Sequence, residues 1–118
     1  WHARLETAIA ALRALRDEVC TSTAAAAAAE VRTELGRRLS QAGDHAAAVT
    51  ELDWVLEHAA DAPAAPRALL EKGNVRFREA DYAAAKACFE RLLERYPASP
   101  EAERAPEGIR NCDSRLGL

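Results

Sequence analysis

The chain has 118 residues and a formal net charge of −3; 30% of it is charged, only 5% is aromatic, and about a quarter is alanine. That length fits one ordinary domain or a short repeat array. No basic stripe is interleaved with aromatics, which argues against nucleic acid, and no apolar run approaches the roughly 18–20 residues that span a bilayer. Alanine is the best helix former and has no bulk, so closely stacked helices are expected in place of a large core. The pattern along the chain predicts an all-α fold of about six helices.

Residues 1–20 predict an amphipathic helix. Trp1, Leu5, Ile9 or Ala8, Leu12, Leu15 or Arg16, and Val19 recur at three- and four-residue steps, with Arg4, Glu6, Arg13 and Asp17 largely off that stripe. Thr21-Ser22-Thr23 are weak helix formers and good N-caps, so a second helix is expected from about Ala24 to Gln41; one long bent helix is the alternative. Its six-alanine run offers no strongly buried face, and an apolar stripe starts only at Val31, Leu35 and Leu39. Gly43-Asp44 stops this helix and caps a third, His45 to Ala59, which buries Ala48, Leu52, Val55 and Leu56. Trp54 lies toward one flank and reads as packed under a neighbouring helix, with an exposed interaction residue as the alternative.

Asp61-Ala62-Pro63-Ala64-Ala65-Pro66 is expected to be a loop, with Pro66 in the first turn of a fourth helix, where its missing N–H costs nothing. That helix spans about Arg67 to Glu79. Asp81 is the next break, and a fifth helix runs from Tyr82 to Arg95 and ends at Tyr96-Pro97. Ser99-Pro100 opens a sixth, reaching about Arg115 with Gly117 as a late stop; Pro106 either bends it or delays its start.

Cys20, Cys88 and Cys112 form no CxxC pair, which points to buried apolar thiols and away from a zinc site. A Cys88–Cys112 bridge in an oxidising compartment is the alternative. His2, His45 and His58 are scattered. Neither a Ser/His/Asp order, nor a metal-binding helix pair, nor a phosphate-binding glycine loop is found, so no catalytic residues, metal or cofactor are expected. The chain opens in mid-helix with Trp1-His2-Ala3 and reads as an excised piece or a processed product.

The chain partly repeats itself every 37 residues. Gly36 returns as Gly73, Asp44 as Asp81, Ala48 as Ala85 and Leu52 as Phe89. A fixed period marks a repeat architecture. A small residue within the first helix of each unit lets two helix axes approach, and a bulky one then fills the facing groove. Gly36 and Gly73, the turns Gly43-Asp44-His45 and Ala80-Asp81-Tyr82, the pairs Ala48/Leu52 and Ala85/Phe89, then Val55, Leu92 and Pro97 make that pattern.

The pattern resembles the tetratricopeptide repeat. What the resemblance implies is a right-handed solenoid of stacked antiparallel helical hairpins. In one domain, 1–118, residues 1–23 would be a packing helix, 29–65 and 66–99 two repeats, and 100–118 a capping helix. The departures are Ala60 where proline is expected, extra loop residues, and Leu39 and Arg76 in place of a common aromatic. The ending, Tyr82-x-x-Ala85-x-x-x-Phe89 followed by Tyr96-Pro97-x-Ser99-Pro100-x-Ala102, is similar to that of bacterial cell-envelope members, of the Tol–Pal-associated and outer-membrane-assembly types. With the skew toward residues of GC-rich codons, this suggests a bacterial periplasm or envelope; the cytoplasm is the alternative.

In that family the first helices line a concave groove for a protein or peptide partner. By register, Glu30, Thr33, Arg37, Ser40 and Gln41 face it from the first unit, Arg67, Leu70, Asn74, Phe77 and Arg78 from the second, and Glu101 and Arg104 from the cap. Asn74 would hold a peptide backbone through its donor and acceptor, the arginines would fork onto carboxylates, and Phe77 would be an apolar anchor. The family's carboxylate clamp is not matched, since Thr33, Arg37 and Ala105 lack its Lys/Asn set, so chaperone tails are not the expected ligand. A scaffold is therefore expected, not an enzyme. An accessory domain of a larger enzyme or sensor, or a module that self-associates through helix one, is the alternative.

Overall fold

The computed structural model describes residues 2–20 and 25–118, with side chains for 3–16 and 25–118. Trp1, the Thr21-Ser22-Thr23 cap, and the side chains of Val19 and Cys20 lie outside the described residues. Six α-helices follow one another: α1 His2–Cys20, α2 Ala25–Gln41, α3 His45–His58, α4 Ala65–Arg78, α5 Tyr82–Arg95 and α6 Ala105–Leu116, the last preceded by a 3-10 helix at Pro100–Arg104. The described residues contain no strand. Each α-helix packs on the next, and α4 also touches α2. Gly36 meets Leu52 across the first turn and Gly73 meets Phe89 across the second, so the paired helices run antiparallel.

The helix stops have one chemistry. Gly43 (φ 88°) and Ala80 (φ 63°) take the left-handed conformation. Asp44 N–H then donates to Leu39 O and Gly43 N–H to Ser40 O, just as Asp81 N–H donates to Arg76 O and Ala80 N–H to Phe77 O. This paired closure satisfies the last carbonyls of a helix. The next residue starts the following helix: Asp44 accepts from Ala47 N–H and Asp81 from Ala84 N–H, each at 3.2 Å, using orphan donors of the first turn. Gly117 (φ 78°) ends α6 the same way, with Leu118 N–H on Asp113 O. Gly43, Ala80 and Gly117 are spaced by the same 37 residues as the sequence repeat.

The core follows from the small residues. A Cβ on Gly36 would stand 2.7 Å from the Leu52 side chain, and one on Gly73 would stand 2.6 Å from the Phe89 ring. Gly108 takes the other face of that ring, where a Cβ would stand 2.8 Å away. Phe89 is thus held between two helices that only glycine lets approach. One buried cluster centres on Leu35, Leu52, Val55 and Val75 and a second on Phe89, Leu92 and Cys112; both draw on Leu56 and Tyr96.

Several expectations change. The alanine run does bury a face, because Ala28 and Ala29 are nearly inaccessible under the neighbouring helices. Val31 is only half-buried. On α1, Leu5 and Ile9 are buried, but Leu15 is 44% exposed, and Arg16 turns inward to Glu51 instead. Helix α4 begins two residues before Arg67, at Ala65, keeping Pro66 in its first turn. The expected sixth helix is split: Pro100–Arg104 is a 3-10 turn, and Pro106 sits in the first turn of α6, where its ring removes no intrahelical bond. Cys88 and Cys112 are free thiols. Burial pushes both above the usual thiol range.

The Tyr96–Pro100 phrase builds a corner. Tyr96 Oη donates to Ala60 O at 2.7 Å, pinning the α3–α4 loop. Ser99 Oγ donates to Tyr96 O at 2.7 Å and accepts from Ala102 N–H at 3.3 Å.

Candidate protein-binding groove

Three cavities run along α2, α4 and the Pro100–Leu116 stretch. The first, about 300 Å³, is lined by Glu30, Thr33, Pro63, Ala64, Arg67 and Glu101. The middle one, about 350 Å³, is lined by Arg37, Arg67, Leu70, Glu71, Pro100, Glu101 and Arg104. The third, about 440 Å³, is lined by Leu70, Asn74, Phe89, Arg104, Glu107, Gly108 and Asn111. Arg67 and Glu101 are common to the first two, and Leu70 and Arg104 to the last two, so the three form one groove.

The expected site residues divide. Glu30, Thr33, Arg37, Arg67, Leu70, Asn74, Glu101 and Arg104 all line this groove, although Thr33 is only 1% exposed. Four do not line it. Ser40 is buried and accepts from Arg78 Nη1 at 2.6 Å, so Arg78 ties α4 to α2. Gln41 accepts from Arg38 at 3.4 Å. Phe77 packs edge-to-face on Tyr82 with centroids 5.0 Å apart, and the Arg115 guanidinium lies 5.8 Å from both rings. A bulky ring at this step packs against its own hairpin turn.

Charge in the groove is partly spent internally. Glu34 receives Arg67 at 3.0 Å, Arg38 at 3.0 Å and Arg37 at 3.4 Å. Glu71, half-buried beside Leu70, is a residue the sequence reading missed. Burial raises its pKa although Arg67, Arg37 and Arg78 oppose that. The signal was there: 67, 71, 74 and 78 fall at one-turn steps on one face of α4. Asn111 was also missed, 37 residues after Asn74 in the same cavity.

A second polar centre joins α1, α2 and α3. Glu51 is buried and receives Arg16 at 2.5 Å and Arg32 at 3.1 Å. The Arg32 guanidinium also lies 4.2 Å from the Trp54 ring centroid, and His58 stacks on that ring at 4.9 Å. Its burial and its position between helices make it a structural clamp.

Among the described residues no group of three His, Cys, Asp or Glu side chains is placed to hold a metal ion, and no helix is long and apolar enough to cross a membrane. Compared with protein-family models, curated proteins and solved structures, the chain matches none of them.

Proposed function

We propose that this chain is a tetratricopeptide-like scaffold, not an enzyme, that binds a peptide or helix of a protein partner in the groove along α2, α4 and Pro100–Leu116. The observation that carries the reading is what the groove leaves unused. Asn74, Asn111, Glu101 and Arg104 line it, and among the described residues none of their side chains has a hydrogen-bond or ion-pair partner. Unspent donors and acceptors in a cleft are what a peptide backbone and its side chains require. The solenoid and the repeat family rest on the 37-residue return, now carried by three helix stops and two glycine contacts. The envelope setting rests on the Tyr96–Pro100 phrase, and cell fractionation reads it directly.

The test is a pull-down from native lysate, comparing the wild type with Asn74→Ala/Arg104→Glu and with Glu90→Gln/Glu94→Gln on α5. A partner lost only with the first variant supports the groove. A partner retained by the first variant and lost with the α5 variant places binding on the opposite helices.

A further inference from the structure

Three arginines in the middle of the groove share one carboxylate. Glu34 receives Arg38 Nε and Arg67 Nη2 at 3.0 Å each and Arg37 Nη2 at 3.4 Å. Arg37 and Arg67 each reach it through one nitrogen, not through the two-nitrogen fork that a guanidinium can offer a carboxylate. Arg104, on the 3-10 helix, has no side-chain partner among the described residues. One carboxylate offsets one guanidinium, so the cluster leaves positive charge uncompensated.

Arg37, Arg67 and Arg104 come from three different elements and line one cavity, the middle one of about 350 Å³. Glu71 and Glu101 share its wall, yet among the described residues neither forms an ion pair with an arginine. With Arg38 on Glu34, and Arg78 acting on Glu71, five guanidiniums stand against the three carboxylates Glu34, Glu71 and Glu101. Glu30 and Glu107 line only the flanking cavities. Leu70 and Pro100 complete the wall with apolar surface.

An excess of guanidinium donors around a cavity with an apolar side is complementary to a short aliphatic stem that ends in a carboxylate. We infer that the middle cavity receives a glutamate or aspartate side chain of the bound peptide. The inference rests on the groove reading and deepens it: the stem lies against Leu70 and Pro100, and the carboxylate accepts from Arg37, Arg67 and Arg104.

The experiment is an amide NMR titration of the whole chain with peptides capped at both ends that differ only at one central residue: Glu, Asp, Gln or Lys. The Glu and Asp peptides shift the amides around Arg37, Leu70 and Glu101 and bind about fivefold or more tighter than the Gln peptide, as an ion pair of partly exposed groups allows. The preference disappears in Arg37→Gln/Arg104→Gln, which leaves Arg38 and Arg67 on Glu34. It survives in the charge-matched Arg91→Gln/Arg110→Gln, two exposed positions outside the groove. Equal binding of the Glu and Gln peptides, a preference for Lys, or a preference that survives in Arg37→Gln/Arg104→Gln would overturn the inference. A Gln peptide that tightens once its C-terminus is uncapped, with no gain from a central Glu, would assign the cavity to a chain terminus and overturn it too. Shifts at Leu70, Asn74 and Asn111 in those cases would leave the groove reading standing; with no shift anywhere along α2, α4 and 100–116, both would fall.

Discussion

Phe89 shows how two missing side chains set a distance. Its ring fills the space that Cβ atoms on Gly73 and Gly108 would need, 2.6 and 2.8 Å away. Glycine within a helix costs about 1 kcal/mol relative to alanine, so Gly73→Ala would stabilise the protein if the ring could retreat. With Gly108 behind it, it cannot, and overpacking costs about 1–3 kcal/mol. Denaturant melts of Gly73→Ala should show a net loss of roughly 1 kcal/mol or more. The helix stops give the opposite case. Ala80 occupies a left-handed conformation that Gly43 holds one period earlier, and an L side chain there costs about 1 kcal/mol. Thermal melts should rank Ala80→Gly at or above the wild type and Gly43→Ala about 1 kcal/mol below it. The sequence made the glycines of both repeats and the aspartate caps legible because each meets its partner within its own hairpin. Gly108 was not legible, since it works against a ring from the preceding helix.

At the scale of elements, the helix boundaries follow local chemistry closely, and the exceptions are instructive. The start of α6 depended on whether Pro106 bends or begins a helix, and it begins one, directly after the 3-10 segment that Ser99 caps. On α1, the hydrophobic pattern left Leu15 and Arg16 as equal readings of one step. The choice was made by a partner on α3, which periodicity within α1 cannot reveal. Glu51 is the centre of that choice, because its carboxylate is buried between Arg16 and Arg32. Removing one member of a buried pair costs about 3–5 kcal/mol, and less where water reaches the partners; Arg16 and Arg32 are 24% and 15% exposed. Glu51→Ala should therefore lose about 2–3 kcal/mol. It should also raise amide hydrogen exchange in α1 more than in α5. Equal exchange in both helices would show that Glu51 does not hold α1.

At the scale of the whole molecule, the 37-residue return placed first helices side by side, and eight of the twelve expected groove positions line the cleft. The others fail for tertiary reasons: Arg78 and Ser40 satisfy each other, Gln41 pairs along its own helix, and Phe77 folds onto Tyr82. Burial also gives the cleft a pH signature. Glu71 has its pKa raised from 4.5, so the folded chain holds that proton more tightly than the unfolded one. Stability then falls as pH rises from the ordinary carboxylate value through the raised one. Glu71→Gln should remove this part of the pH dependence and melt at or above the wild type at neutral pH; an unchanged profile would mean that burial does not act on Glu71.

If the groove is the binding surface, peptides selected on the chain must sit in it. Short random peptides displayed on phage are selected on the wild-type chain, and each recovered peptide is then measured on Asn74→Ala/Arg104→Glu and on Glu90→Gln/Glu94→Gln. Selected peptides should weaken about tenfold or more on the groove variant, as loss of an interface anchor does, and keep their affinity on the α5 variant. Peptides that bind the groove variant as tightly as the wild type would contradict it.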